Sequence, residues 1–277
     1  MRTALLQLNV TDDPEQNLPR TLEMVTEAKA QGAEFVLTPE VTNCLSASRT
    51  RQREVLQPEA EDITLEGLRE AAARHSVWLL IGSLALAEEG PEGRFSNRSF
   101  LIGPSGGIVA RYDKIHMFDV DVSETETYRE SAGYRPGETA VLAHPPFAVI
   151  GMTVCYDLRF PHLYRRLAQG GAQILTVPSA FSPVTGAAHW EPLLRTRAIE
   201  CGAWVLAPAQ CGVHRAQRGK ERRTYGHSLV VSPWGEVLAD GGEAPGITCV
   251  DLDMAAVEDA RRRIPSLRHD REFEGPR

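Results

Sequence analysis

Nowhere does the chain carry a Cys-x-x-Cys pair, and its five cysteines, Cys44, Cys155, Cys201, Cys211 and Cys249, are odd in number and widely spaced. That excludes a disulfide scaffold and suits a reducing compartment. Neither His-Glu-x-x-His nor a Cys/His set at zinc spacing occurs, and Gly103, Gly106 and Gly107 fit neither a dinucleotide fingerprint nor a phosphate loop. No metal and no cofactor are expected. No apolar run reaches membrane-spanning length, and the N-terminal stretch Met1 to Asn9 lacks a long apolar core before a cleavage site, so it reads as a first strand. A cytoplasmic location follows. Positive charge is also in deficit: a net charge of −7 argues against a nucleic-acid partner or an anionic membrane surface.

What is present is an ordinary globular composition, 42% hydrophobic and 24% charged over 277 residues. No stretch rich in Gly, Ser or Pro divides the chain, so residues 1–277 read as one domain with a tail from about residue 265. Residues 3–10 read as a strand, Leu18, Leu22, Val25 and Ala28 recur at helical spacing up to Gly32, and Glu34 to Glu40 is a second strand. This is a βαβ unit. A helix over Leu65 to His75 leads to a strand from Val77 to Leu86, a turn over residues 88–93, and antiparallel strands Phe95 to Ile102 and Ile108 to Lys114. Residues 116–136 show no period and read as a loop at an active-site rim.

A strand pair around Ala140 to Val154 is followed by a helix over Pro161 to Gln169, a strand over Gln173 to Pro178 and a loop over Ser179 to Gly186. The spacing then predicts a helix over His189 to Cys201, burying Trp190, Leu193, Leu194 and Ile199. A strand over Ala203 to Ala209, a basic loop over Arg215 to Arg223, strands Tyr225 to Ser232 and Ile247 to Asp253, and a helix over Met254 to Arg263 complete the chain. The expected fold is α/β, with two mixed sheets packed together and covered by helices.

Cys155 ends an apolar run of eight residues from Phe147, read as a buried strand, and Phe160-Pro161 opens a helix soon after. The ordinary role of such a cysteine is that of a small hydrophobe. Strand, turn and helix, however, present a thiol beside a helix N-terminus, whose dipole favours thiolate. Glu40 and Lys114 close two other strands. Alone, each reads as a solvated surface charge. If the three strands share one layer and direction, a carboxylate, an ammonium and a thiol meet at one rim, which is what acyl transfer to a thiol needs.

Thr38-Pro39-Glu40, Tyr112-Asp113-Lys114-Ile115-His116 and the run from Gly151 through Cys155-Tyr156-Asp157-Leu158-Arg159 resemble the three signatures of the nitrilase superfamily, carbon–nitrogen hydrolases with a Glu-Lys-Cys triad. The resemblance extends to about Pro265. It implies an α-β-β-α sandwich pairing into a dimer, with Cys155 as nucleophile, Glu40 as general base and Lys114 stabilising the tetrahedral intermediate. Glu130, in Tyr128-Arg129-Glu130-Ser131, would position Lys114 or the substrate amide. The Tyr156 N–H is a candidate second oxyanion donor by its place in the turn. Proton transfer to Glu40 leads one to expect a raised carboxyl pKa and a lowered thiol pKa.

The segments Pro178 to Glu191, Ala209 to Gly212, and Tyr225 to Ser228 with Pro233-Trp234-Gly235 resemble the Nit branch of amidases. That implies hydrolysis of a small carboxylate-bearing linear amide to acid and ammonia: deaminated glutathione first, α-ketoglutaramate, the ω-amidase substrate, as the alternative. Ala209-Gln210-Cys211-Gly212 with His214 favours the first; Phe118 and Tyr128 to Ser131 resemble the second. A catalytically silent protein of the same fold is the remaining alternative, against which the intact Glu40, Lys114 and Cys155 argue. Arg159 matches an arginine that grips carboxylate in related hydrolases; its other reading is an ion pair with Asp157. Arg215, Arg218, Lys220, Arg222 and Arg223 read as a solvated loop or as a guide for an anion.

Overall fold

The computed structural model describes residues 1–88, 93–122 and 126–276. Most of the turn expected over residues 88–93 lies outside them. Strand β1 (Arg2–Gln7) leads to helix α1 (Pro14–Ala30), where Asp13 accepts the Glu15 N–H and Pro14 takes the first helical position. Next come β2 (Phe35–Leu37), α2 (Arg49–Val55), α3 (Ile63–His75), β3 (Trp78–Ala87), β4 (Phe95–Ile102) and β5 (Ile108–Asp113). Helix α2 escapes periodicity because only Gln52 of its seven residues is buried.

The stretch read as a loop over residues 116–136 contains a hairpin, β6 (Asp119–Asp121) and β7 (Thr127–Arg129), too short and polar to show a period. Then follow β8 (Val141–Ala143), β9 (Ile150–Met152), α4 (Pro161–Gln169), β10 (Ile174–Thr176) and α5 (Pro183–Cys201). The strand before Cys155 is thus three residues rather than eight. Helix α5 starts six residues before the expected His189, at Ser182-Pro183, a capping residue followed by proline. Trp190 and Leu194 are buried as expected, whereas Ile199 points outward, 57% exposed.

The chain ends with β11 (Trp204–Ala207), β12 (Cys211–His214), β13 (Arg222–Tyr225), β14 (Leu229–Val231), β15 (Val237–Asp240), β16 (Gly246–Asp251) and α6 (Ala255–Arg263). The strand expected over Tyr225 to Ser232 is broken in two, because Gly226 and His227 take positive φ values of 78° and 57°.

Two six-stranded sheets share one plan. In the first, ordered β16-β1-β2-β3-β4-β5, the strands β1, β2 and β3 are parallel and their neighbours antiparallel. The second, ordered β15-β14-β11-β10-β9-β8, has β9, β10 and β11 as its parallel centre. Side-chain alternation buries both faces of the first sheet. Leu5, Leu37 and Leu80 pack with Ile150, Met152 and Leu175 of the second, while Leu6, Val36 and Leu79 pack with Met24, Val25 and Leu68 of α1 and α3. Leu163, Leu167, Leu194 and Ala198 of α4 and α5 belong to the inter-sheet cluster's far side. The sheets therefore lie face to face with helices outside. At one rim they are stitched together, Leu8 donating to Ala209 O and Cys211 to Leu8 O. Among the described residues no helix is long and apolar enough to cross a membrane.

Candidate active site

Glu40 reaches this rim because β2 stops at Leu37 and the chain bends through Thr38-Pro39. The bend lies so close to β3 that a Cβ on Gly82 would stand 2.1 Å from Thr38 O, so glycine is required there. Val41 then takes a left-handed φ of 48°, held by a 2.8 Å bond from its N–H to Ser83 Oγ. Cys155, after β9, is left-handed too, at φ 49°, and its N–H donates to Pro178 O at 2.9 Å. Such conformations cost about 1–3 kcal/mol each and persist where the surroundings over-determine them.

Asp157 supplies that constraint. It is fully buried and accepts from the Val154 N–H (2.9 Å), the Tyr112 hydroxyl (2.7 Å) and the His116 N–H (3.0 Å), with His116 Nδ1 2.7 Å away. Tyr112 and His116 flank Lys114. The residues of the two motifs that carry no obvious chemistry thus tie the lysine's segment to the cysteine's turn.

Lys114 Nζ, itself buried, donates to Glu40 Oε1 at 2.9 Å and to Glu130 Oε1 and Oε2 at 3.0 and 2.8 Å. Asn97 Nδ2 bridges the same carboxylates at 2.9 and 3.3 Å, the Ala180 N–H donates to Glu40 Oε2 at 2.8 Å, and the Phe118 N–H to Glu130 Oε2 at 2.6 Å. Burial opposes ionisation of Glu40, but Lys114, through charge and hydrogen bond, outweighs it and holds the carboxyl below its usual value. Burial likewise opposes the charge on Lys114 and is overcome by Glu130 and Glu40, so its pKa is well raised. Burial, then the facing Glu40 carboxylate, push the Cys155 thiol up. Both expected shifts are therefore reversed: the carboxyl is lowered and the thiol raised. The helix dipole does not rescue the thiolate, because a five-residue 3-10 turn, Cys155–Arg159, separates the cysteine from α4.

Around these groups opens a cavity of about 790 Å³. Glu40, Lys114, Glu130, Cys155 and Tyr156 all line it, so five of the six residues singled out from sequence are gathered there. Arg159 is not. Its Nη2 lies 3.1 Å from His189 Nδ1 and its guanidinium sits 5.7 Å from the Phe181 ring centroid, while Asp157 is engaged with Tyr112, Val154 and His116 instead. The basic loop does reach the cavity, through Lys220, Arg222 and Arg223. Periodicity and motif missed Asn97, one of four polar residues in a row in β4 from Ser96 to Ser99; the run of charges contained Arg222 without distinguishing it. Among the described residues no set of His, Cys, Asp or Glu gathers as a metal site. A neutral thiol beside an ionised carboxylate and an ammonium can pass its proton as it attacks a carbonyl.

The model of the family described as carbon–nitrogen hydrolase matches residues 2–262. A deaminated glutathione amidase from Yersinia enterocolitica is 39% identical over 269 residues, 97% of this chain and 92% of the relative. The C. elegans NitFhit protein superposes with a TM-score of 0.87 at 33% identity, covering 98% of this chain and 65% of that longer one. A mutant of the amidase from Nesterenkonia sp. AN1, solved with acrylamide added at its active site cysteine, superposes with a TM-score of 0.77 at 28% identity over 96% of this chain and 98% of that one. With the family matched across almost its whole length and amidases among its relatives, this chain belongs to the carbon–nitrogen hydrolases of the nitrilase superfamily, enzymes that hydrolyse carbon–nitrogen bonds other than peptide bonds.

Proposed function

We propose that the chain is a thiol amidase for a linear amide carrying carboxylate groups, deaminated glutathione foremost, with Cys155 as nucleophile, Glu40 as general base and Lys114 as the cation facing the oxyanion. The observation that carries this is the buried Lys114 shared between Glu40 and Glu130 beside Cys155. Sγ attacks the carbonyl carbon as the thiol proton passes to Glu40; Lys114 and the Tyr156 N–H receive the negative charge on oxygen. The intermediate collapses with cleavage of the C–N bond, Glu40 returning the proton to the leaving amine. Water, deprotonated by Glu40, then attacks the thioester; the C–S bond breaks to free the acid, and Glu40 hands its proton to the departing Cys155 thiolate. Glu130 keeps Lys114 aimed throughout.

The substrate reading rests on the names of the relatives and on the cavity, whose roughly 790 Å³ falls in the range that encloses ligands larger than a simple amide. Deaminated glutathione joins its oxo-acid to a dipeptide through a secondary amide, so its hydrolysis releases the dipeptide's amine. Ammonia, the product expected above, comes only from a primary amide such as α-ketoglutaramate. Both substrates yield the same oxo-acid, which gives the test: follow oxo-acid release together with ammonia or dipeptide for each. Higher kcat/KM on deaminated glutathione, lost by several orders of magnitude in Cys155→Ala, is the expected outcome. Preference for α-ketoglutaramate would turn the reading to ω-amidase. Turnover surviving in Cys155→Ala would remove the nucleophile, and no turnover by the wild type would favour a silent fold. Pairing of two copies and a cytoplasmic location belong to the same proposal, supported respectively by the outward Ile199, Trp234 and Ile264 and by five free thiols.

A further inference from the structure

Of the cations on the cavity wall, Arg222 is distinct. It makes no ion pair among the described residues; one guanidinium nitrogen, Nη2, donates to Ala180 O at 2.9 Å, the group lies 5.1 Å from the Tyr128 ring centroid, and Nε is buried with no hydrogen-bond partner. Arg129, by contrast, pairs with Asp121, and Arg159 lies off the cavity against His189 and Phe181. The position of Arg222 is also fixed relative to the chemistry. Ala180 accepts from Arg222 through its carbonyl and donates to Glu40 through its N–H, so one residue links the guanidinium to the general base, and its charge already acts on Glu40.

From this we infer that Arg222 is the anchor for the substrate carboxylate carried on the acyl side of the scissile amide, a part for which Arg159 was expected. A guanidinium carries paired N–H groups that a carboxylate accepts in two parallel bonds, and that of Arg222 lines the cavity with no carboxylate of the described residues paired to it. The hairpin β12–β13 is what brings the arginine there, and its loop is fastened at the far side by buried Asp12, which accepts the N–H groups of Gln217 and Arg218. The basic loop is therefore neither merely solvated nor a diffuse guide: one of its five cations recognises, and Lys220 and Arg223 add field at the cavity wall.

The inference rests on the amidase reading only for where the scissile group sits, and it can be tested by binding, without turnover. Glutarate and pentanoate, the acids released from an amide with and without the extra carboxylate, are titrated calorimetrically into wild type, Arg222→Met, Arg222→Lys and Arg159→Met. The wild type should prefer glutarate, Arg222→Met should lose roughly tenfold to a hundredfold of that preference, Arg222→Lys should keep an intermediate share, and Arg159→Met should retain it. If Arg222→Met fails to fold, the drop in Arg222→Lys decides. An unchanged preference in both Arg222 variants, its loss in Arg159→Met, or no preference in the wild type would overturn the assignment. Glutarate preference without hydrolysis of any amide would instead sink the amidase reading and leave this one standing.

Discussion

Lys114 is the residue on which the site's electrostatics turn. It sits 2% exposed against two carboxylates, of which Glu40 is buried and Glu130 partly open to the cavity. Replacing the lysine with methionine removes the largest of the contacts that lower the Glu40 pKa and leaves the charge of Arg222 and neutral hydrogen bonds against its burial, so that pKa rises from its wild-type position. Lys114→Met should therefore abolish activity and cost about 3–5 kcal/mol at neutral pH, as for other buried pairs stripped of one partner. The sign with pH follows. In the wild type a lowered Glu40 pKa gives stability that is present above the ordinary carboxylate value and lost as pH falls through the lowered one; in the variant the higher pKa removes some or all of that contribution, so less is there to lose. Denaturant unfolding at several pH values should show the gap between the two proteins closing toward acid, and a gap that is constant or widens would contradict the account. Of this cluster, Glu40, Lys114, Glu130 and Cys155 were legible in the motifs. The directions of their shifts were not, because the burial that raises the thiol and the buried Lys114 contact that lowers the carboxyl both belong to the packed sheets and are invisible in spacing.

At the level of elements, the turn at Cys155 shows what a sequence motif encodes beyond its thiol. The strand feeding Cys155 is only β9, three residues long, and the turn after it is held left-handed by bonds to a neighbouring segment rather than by its own propensity. Asp157 is the shared acceptor. Asp157→Asn keeps the size but turns one acceptor oxygen into a donor, so at least one of the Val154, Tyr112 and His116 donors loses its partner. Because a misplacement of about 1 Å is enough to cost on the order of 10²-fold in rate, kcat should fall by that order while KM holds and circular dichroism stays native. A change confined to KM, or an undisturbed kcat, would show that the network is not what aims the thiol. Helix α4, residues Pro161–Gln169, was readable to the residue from its opening proline and apolar spacing. The hairpins β6–β7 and β12–β13 were not: both are short and polar, and their pairing is fixed by what they pack against.

Across the whole molecule, the convergence expected within one layer is achieved between two. Glu40 and Lys114 follow β2 and β5 of the first sheet, Cys155 follows β9 of the second, and the distance between the carboxylate, the ammonium and the thiol is therefore a sheet-to-sheet distance. Two mixed sheets could be anticipated from strands alternating with helices and hairpins; which strand joins which sheet could not, since β1 and β16 pair from opposite ends of the chain. The arrangement makes neighbouring core residues of β3 unequal. Leu79 and Leu80 are both fully buried, yet Leu79 packs in the cluster with α1 and α3, whereas Leu80 packs in the cluster between the sheets. Leu79→Ala and Leu80→Ala should each lose about 2–5 kcal/mol, according to how far each cavity collapses. Collapse around Leu80 shifts one sheet against the other and with it Glu40 and Lys114 against Cys155; collapse around Leu79 is taken up by helices that carry none of the three. Assayed at a temperature where both variants are fully folded, Leu80→Ala should show a reduced kcat and Leu79→Ala a nearly native one. Equal kcat values in two proteins of equal stability would mean that the rim contacts of Leu8 with Ala209 and Cys211, rather than the packed core behind them, set the spacing of the site.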